Sequence, residues 1–415
     1  MLSTSRAKPC AIERAEEVVS GLALPQALRA PISRYGLLLP CLLFMLGLFV
    51  WPILSLLTGG VHSPEVSQAL PQTSRAVLAW NGQGLPDDAA FEALIADLRA
   101  ADRRAVAEAG RRLNYEIAGY RALILKTAAR AASTQGKAGL IAIDPKWSEN
   151  SYWLGLRRAA SPITPRYLLA ALDLEVRPDG SIGAAPQESA IFLGVLGRTL
   201  WISLVVTVSC LLLAFPVAYH IASSSPRWRN LLLLLVLLPF WTSLLVRTSA
   251  WVVLLQDNGM INTALLRAGL IETPLRLIFN RTGVYISFIH VMLPLMVLPL
   301  YSVMSSISKE YLRAAFSLGA SGPRAFFKVY LPLVWPGIWS GTLLTFVVCS
   351  GYYVTPLLVG GNTDQMMSYF IAFYTKQTVN WGLAAALAIV LSFAILLVTG
   401  LYALVGRRQT IVVKG

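Results

Sequence analysis

Six apolar stretches, residues 35–57, 195–223, 230–255, 283–307, 337–359 and 381–405, decide what this sequence can become. A helix rises about 1.5 Å per residue, so each stretch is long enough to cross roughly 30 Å of hydrocarbon. Composition agrees: 56% of the chain is hydrophobic and only 13% is charged, the pairing of a membrane protein. The expected fold class is therefore an all-α polytopic membrane protein with six transmembrane helices. Pro40, Pro52, Pro216, Pro239, Pro294, Pro299 and Pro356 interrupt the runs. Lipid tolerates the freed carbonyls only where neighbouring helices, side chains or water satisfy them, which predicts a kinked, mutually packed bundle.

A formal net charge of +14 raises the question of nucleic acid, and its distribution answers it. Residues 58–192 hold 15 basic and 14 acidic side chains, a net charge of +1. The excess sits in connectors beside apolar runs, a topology signal and not a nucleic-acid stripe. Six crossings place both termini on one side. The connectors then assigned to the cytoplasm (1–34, 224–229, 308–336 and 406–415) carry 14 basic and 4 acidic residues, as the positive-inside rule requires. The first run, with the basic tail 1–34 before it, reads as a retained signal-anchor with its N-terminus cytoplasmic. Trp51, Trp201, Trp241, Trp251 and Trp381 lie near the expected span ends, where an amphipathic ring suits the headgroup layer. Cys10, Cys41, Cys210 and Cys349 build neither a disulfide framework nor a metal-ligand spacing.

Residues 58–192 are enough for an independent, periplasmic domain. Asp87 and Asp88 are placed to cap a helix bearing Phe91, Leu94, Ile95 and Leu98 at helical spacing, and residues 113–132 repeat the pattern. Residues 140–144 read as a short strand, Tyr167 to Leu172 as a helix, and Pro178, Asp179 and Gly180 as a turn. The insertion is thus expected to be mainly helical, with a five-helix membrane core at 193–415.

The connector at 308–336 reads as two short helices broken at Gly319. Leu312, Ala315, Phe316 and Gly319 share one face, and glycine suits the left-handed residue that ends a helix. Ser321 is placed to cap the second helix, with Pro323 in its first turn and Phe326, Phe327 and Tyr330 as an aromatic surface. Such a pair fits a partner's groove; Lys309, Arg313, Arg324 and Lys328 equally suit a helix lying on lipid.

This connector resembles the EAA loop of binding-protein-dependent ABC importer permeases: Glu-Ala-Ala, a glycine four residues beyond the last alanine, then a later Leu-Pro. The matching residues are Arg313, Ala314, Ala315, Gly319, Leu331 and Pro332, so arginine replaces the glutamate. The resemblance covers the last five crossings and is closest to the spermidine/putrescine-type subfamily. It is carried there by residues 229–251, with Pro239, Phe240, Trp241, Thr242, Ser243 and Arg247, and by Thr355, Pro356, Leu357 and Leu358 with Gly360 and Gly361. It implies a type I importer permease fold and a loop that docks into a cytoplasmic ATPase dimer, with Ala314, Ala315 and Gly319 as close-packing positions. A second permease, a heterodimer partner, and a periplasmic solute-binding protein complete the implied assembly in the bacterial inner membrane. Glu310 is expected to pair with Arg313 or to stand in for the missing acid, and Arg313 implies an acidic contact on the ATPase.

The chain itself lacks a nucleotide site: Gly136-Lys137 has neither the upstream glycine nor the following Ser or Thr of a phosphate loop. No His-Glu-x-x-His segment and no Gly-x-Ser-x-Gly elbow occurs. The expectation is a permease that is not an enzyme and carries no cofactor, ATP and Mg being held by the partner. An ion-gradient-driven secondary transporter is the alternative; it calls for mid-membrane carboxylates or an internal repeat, and neither is evident. Pathway candidates are Arg247, expected to bond helix carbonyls or Asp257, then His220 near its helix end and the more central His290. Asp257 and Asp364 are expected near the outer surface, solvated or guiding a cation. Trp241, Tyr352 and Tyr353 offer aromatic faces to a polyamine or similar small organic solute.

Overall fold

The structure, a computed structural model, describes residues 38–177 and 181–412. The tail 1–34 and the expected turn at 178–180 lie outside the described residues. Among the described residues five helices are long and apolar enough to span a membrane: α1 (Leu39–Thr58), then α8 (Phe192–Ser223), α11 (Arg281–Ser306), α13 (Gly322–Gly351) and, after the short α14 (Met367–Lys376), α15 (Trp381–Val412). A bent pair, α9 (Pro226–Trp241) and α10 (Leu244–Leu254), passes the same test of length and hydropathy when its two helices are taken as one span. Between α1 and α8, after two short helices at Glu65–Ala69 and Pro71–Ala79, lie α2 (Asp88–Ala100), α3 (Arg103–Asn114), α4 (Tyr120–Arg130), α5 (Gly136–Ile143), α6 (Asn150–Ala160) and α7 (Arg166–Ala171). A hairpin of β1 (Leu174–Val176) and β2 (Ile182–Ala184) follows, pairing Leu174 with Ala184.

Two of the prolines have a visible local cost. Pro52 and Pro332 have no N–H to donate four residues back, and each follows a π-helical turn, Leu46–Val50 in α1 and Phe326–Tyr330 in α13. There the N–H groups of Trp51 and Leu331 reach the carbonyls of Leu46 and Phe326, five residues earlier. The ladder widens by one residue and the helix continues.

The membrane core is α8, α11 and α13. Ile202, Val206 and Cys210 of α8 meet Phe288, Met292 and Met296 of α11, with Val334, Ile338 and Cys349 of α13 closing the cluster. Lipid tails are as apolar as these side chains, so close fit and dispersion hold the helices together here, with little hydrophobic gain. The insertion instead buries its core from water. Phe91, Trp147, Trp153 and Tyr120 form a chain of rings with centroids 4.5–6.1 Å apart, worth about 0.5–1.5 kcal/mol per pair beyond the area buried. Their polar atoms are all satisfied: Trp147 Nε1–H donates to Thr127 Oγ1 at 3.0 Å, Trp153 Nε1–H to the Trp147 carbonyl at 3.0 Å, and Tyr120 Oη–H to the Tyr152 carbonyl at 2.9 Å.

At one edge of the insertion lies Glu116, its side chain wholly buried. It accepts from Arg112 at 2.8 Å, Arg158 at 3.1 Å and Arg166 at 2.5 Å. Burial alone would raise its carboxyl pKa, but the Arg166 and Arg112 guanidiniums outweigh that and hold it below the usual carboxylate range. A second seam joins the insertion to the membrane helices. Tyr167 and Ala171 of α7 pack with Phe192 and Val195 of α8 and with Leu387 and Leu391 of α15. Asp173 caps α8, accepting from the N–H groups of Phe192 and Leu193 at 2.8 Å each.

Four sequence expectations need correction. Residues 140–143 are the last turn of α5 and not a strand, with Asp144 as its C-cap; Leu140 and Ile143 are buried while Ala142 is exposed, a spacing of three. The 113–132 segment is two helices, broken where the Asn114 carboxamide accepts the Gly119 N–H at 2.9 Å. The insertion is not closed off as a domain by itself, since the α7 seam gives it a core in common with α8 and α15. The 230–255 run bends by 96° between Trp241 and Leu244. Pro239 removes a donor there, and Thr242 and Ser243 bond the chain locally: Thr242 Oγ1–H donates to the Pro239 carbonyl at 2.8 Å and Ser243 Oγ accepts from Val246 N–H at 3.4 Å.

Candidate functional site

The connector after α11 forms α12 (Lys309–Ser317), a nine-residue helix with no buried residue. Ser308 caps its start, Oγ accepting the Glu310 N–H at 3.3 Å. Its end is a Schellman motif: Gly319 N–H donates to the Phe316 carbonyl at 2.9 Å and Ala320 N–H to the Ala315 carbonyl at 3.0 Å. Gly319 has φ +83°, the left-handed conformation expected of it. The expected Glu310–Arg313 ion pair does not form; both side chains are exposed and without an ionic partner among the described residues.

Past the break, Ser321 occupies the cap position of α13 without a side-chain bond, and Pro323 sits in the first turn. The expected aromatic surface divides. Phe326 packs on Phe215 and Tyr330 on Tyr219, centroids 6.0 and 5.5 Å apart, so these two bolt the connector to α8. Phe327 points away and is 64% exposed. Leu331 and Pro332 are half-buried where the connector becomes the spanning part of α13. Ala314 is exposed and Ala315 half-exposed, and beside them Tyr311, Phe316 and Leu318 are bare, Leu318 at 89%. The result is a helix capped at both ends, followed by a segment that Phe326 and Tyr330 hold to α8, and it presents small and large apolar side chains outward.

A second feature lies at the bend. Arg247 of α10 donates from Nη2 to the Thr242 carbonyl at 3.0 Å and from Nε to Thr242 Oγ1 at 3.4 Å. It binds backbone at the break, as expected, and not Asp257, which is exposed and unpaired among the described residues. Trp241, 75% exposed, stands at the end of α9. Next to the bend is a cavity of about 600 Å³ lined by Pro216, His220, Pro239, His290 and Pro294 among aliphatic side chains, with no carboxylate. His290 is also satisfied, its Nδ1 accepting the Trp251 Nε1–H at 3.2 Å. It is thus both a packing residue and a cavity wall.

Asp364 is neither solvated nor free to guide a solute. It is buried and paired with Arg281 at 3.0 Å, and it accepts the Gly361 N–H at 3.2 Å. The Gly360–Gly361 pair explains the tight turn: a Cβ on Gly360 would lie 2.6 Å from the Pro356 carbonyl oxygen and one on Gly361 2.8 Å from that of Phe279. Tyr352 packs against Phe288 at 5.7 Å, its carbonyl accepting Ser368 Oγ–H at 2.7 Å, and Tyr353 lies under Lys376 at 5.9 Å. The structure therefore brings His220 and His290 to one cavity, and leaves Trp241, Arg247, Asp257, Asp364, Tyr352 and Tyr353 out of its lining.

Comparison with known proteins gives one consistent result. The family model described as binding-protein-dependent transport system inner membrane component matches residues 191–411, leaving the insertion outside. The chain is 34% identical over 212 residues to the spermidine/putrescine transport system permease protein PotB of Salmonella typhimurium, covering 51% of this chain and 74% of that protein. The Escherichia coli PotB is 35% identical over 220 residues, 53% of this chain and 78% of that one. The Haemophilus influenzae PotB is 32% identical over 248 residues, 58% and 87%. Among solved structures, a bacterial alginate ABC transporter in complex with alginate pentasaccharide-bound periplasmic protein aligns with 18% identity, 53% of this chain, 79% of that chain and a TM-score of 0.45.

Proposed function

The chain belongs to the binding-protein-dependent transport system inner membrane components and is a permease subunit of an ABC importer; from that premise we propose that α12 is the handle by which a separate ATPase drives it. The observation that carries this reading is a helix with no buried residue, capped at both ends and anchored by Phe326 and Tyr330, that shows Tyr311, Phe316 and Leu318 to the outside. An exposed apolar cluster on a rigid mount is costly in water unless a partner covers it. Under this reading α12 and Gly319 are cytoplasmic, as are both termini, and the insertion is periplasmic. ATP and Mg belong to a dimeric ATPase, and this subunit catalyses nothing. A second permease completes the pathway as a heterodimer, and a periplasmic binding protein delivers the solute.

Arg313 stands where an acid is usual, so the cognate ATPase offers it an acidic residue. The unpaired state of Arg313 supports this, because an exposed guanidinium with no intramolecular partner is ready for a bidentate carboxylate. The solute is a polyamine or a similar small organic solute, a reading supported by the PotB relatives. The cavity beside the bend has aromatic and imidazole neighbours but no acid, so charge recognition of a polyamine falls to the binding protein and the second permease.

The test is retention of the ATPase on the purified membrane complex. Phe316→Asp with Leu318→Asp is expected to weaken it by about 2 kcal/mol or more, on the order of 30-fold, the loss typical of a hot spot. Undiminished retention would remove α12 from the interface. Uptake of labelled spermidine and putrescine in cells, dependent on the intact operon of partners, tests the solute.

A further inference from the structure

The insertion holds a groove for which transport by the membrane helices has no use. Leu154, Arg157 and Arg158 of α6, Ile163 beyond it, Arg166 of α7 and Val176 and Arg177 at the end of β1 line a cavity of about 410 Å³, with Glu116 at its floor. Four guanidiniums thus face one carboxylate, in an insertion whose basic and acidic residues otherwise nearly balance at 15 and 14. That carboxylate is already shared among Arg112, Arg158 and Arg166. The guanidiniums of Arg157 and Arg177 make no hydrogen bond or ion pair among the described residues. Arginine keeps its charge at any ordinary pH, so the repulsion within the groove is permanent.

We propose that this groove binds a small organic anion, its carboxylate or phosphate oxygens gripped by Arg157 and Arg177 and its apolar portion resting on Leu154, Ile163 and Val176. A planar guanidinium fork matches an oxyanion in bidentate fashion, and the two unpaired forks have donors to spare. The apolar wall is open to receive the rest of the molecule: Ile163 is 68% exposed and Val176 39%. The same charges repel a polyamine, so the groove's ligand is chemically distinct from the proposed transported solute.

The experiment uses the full-length protein in nanodiscs, with sodium hexanoate, sodium phosphate and sodium chloride compared at matched ionic strength. Unfolding of the insertion is followed by the fluorescence of its buried Trp147 and Trp153. Hexanoate is expected to raise the unfolding midpoint above that in chloride. Arg157→Ala with Arg177→Ala is expected to abolish the shift, and calorimetric titration to show hexanoate affinity falling at least about tenfold, two lost charge-assisted contacts. Both residues lie off the Glu116 cluster's bonds, so the double variant keeps the fold; Arg177→Gln, at an exposed position, is the milder second variant and is expected to weaken binding part way. No shift with hexanoate, an equal shift with chloride, a shift with phosphate alone, or a shift surviving in the double variant each overturns the proposal.

Discussion

The insertion and α12 are built from the same kind of amphipathic helix, and they treat their apolar faces in opposite ways. In α2, Phe91, Leu94, Ile95 and Leu98 all disappear into a core; in α12 no residue is fully buried, and Leu312 alone leans, half-buried, on the membrane core. Charge follows the same division, with Glu116 locked by three arginines at one place and Arg313 and Glu310 left open at the other. A helix that completes its contacts within its own chain is architecture, whereas one that is capped, anchored and still bare is incomplete without a partner.

The difference can be sharpened by substitution. Glu116→Ala should have the largest effect on folding, because it strands the buried Arg112 guanidinium; losing one partner of a buried ion pair costs about 3–5 kcal/mol, read as a lower unfolding midpoint of the insertion. The same cluster sets a pH dependence. The Glu116 carboxyl titrates below its unfolded value, so its contribution is complete above the usual carboxylate range and drains away as pH falls through the lowered folded value. The acid limb of insertion unfolding is therefore expected to shrink in Glu116→Gln, leaving the part carried by Asp144, which its hydrogen bond from Lys126 also holds below the usual carboxylate range.

Gly319→Val comes next. A β-branched residue at φ +83° is strained by about 1–2 kcal/mol, and the expected result is a drop in ATP-coupled uptake with the insertion's unfolding unchanged. Trp251→Phe removes only the N–H held by His290, about 1 kcal/mol, detectable as a small fall in melting temperature of the membrane core. Arg313→Ala should leave thermal stability untouched and alter only ATPase retention. A destabilised Arg313→Ala protein would erase the contrast between the two regions.

Much of this was legible in the sequence. The spans follow from length and hydropathy alone, and Gly319 from its place after a helical face, because only glycine enters that conformation without strain. The bend at residues 241–244 was hidden by continuous hydropathy, which counts apolar side chains and is blind to what Pro239, Thr242 and Ser243 do to the backbone. Asp364 was misplaced because its partner, Arg281, is 83 residues away. The arginine groove was invisible for the same reason: Arg112 and Glu116 have helical spacing, but Arg157, Arg166 and Arg177 meet them only through the tertiary fold. Phe326 and Tyr330 turned inward because Phe215 and Tyr219 were waiting on α8, and no local pattern distinguishes them from Phe327.

The most direct test places a photo-crosslinking residue at Leu318 and, as control, at Leu270, which is 71% exposed outside α12. Irradiation of the assembled complex in membranes, with adducts mapped by mass spectrometry, is expected to join position 318 to the ATPase and to leave position 270 free of it. Lipid adducts alone from position 318, or ATPase adducts from both positions alike, would contradict the role given to α12.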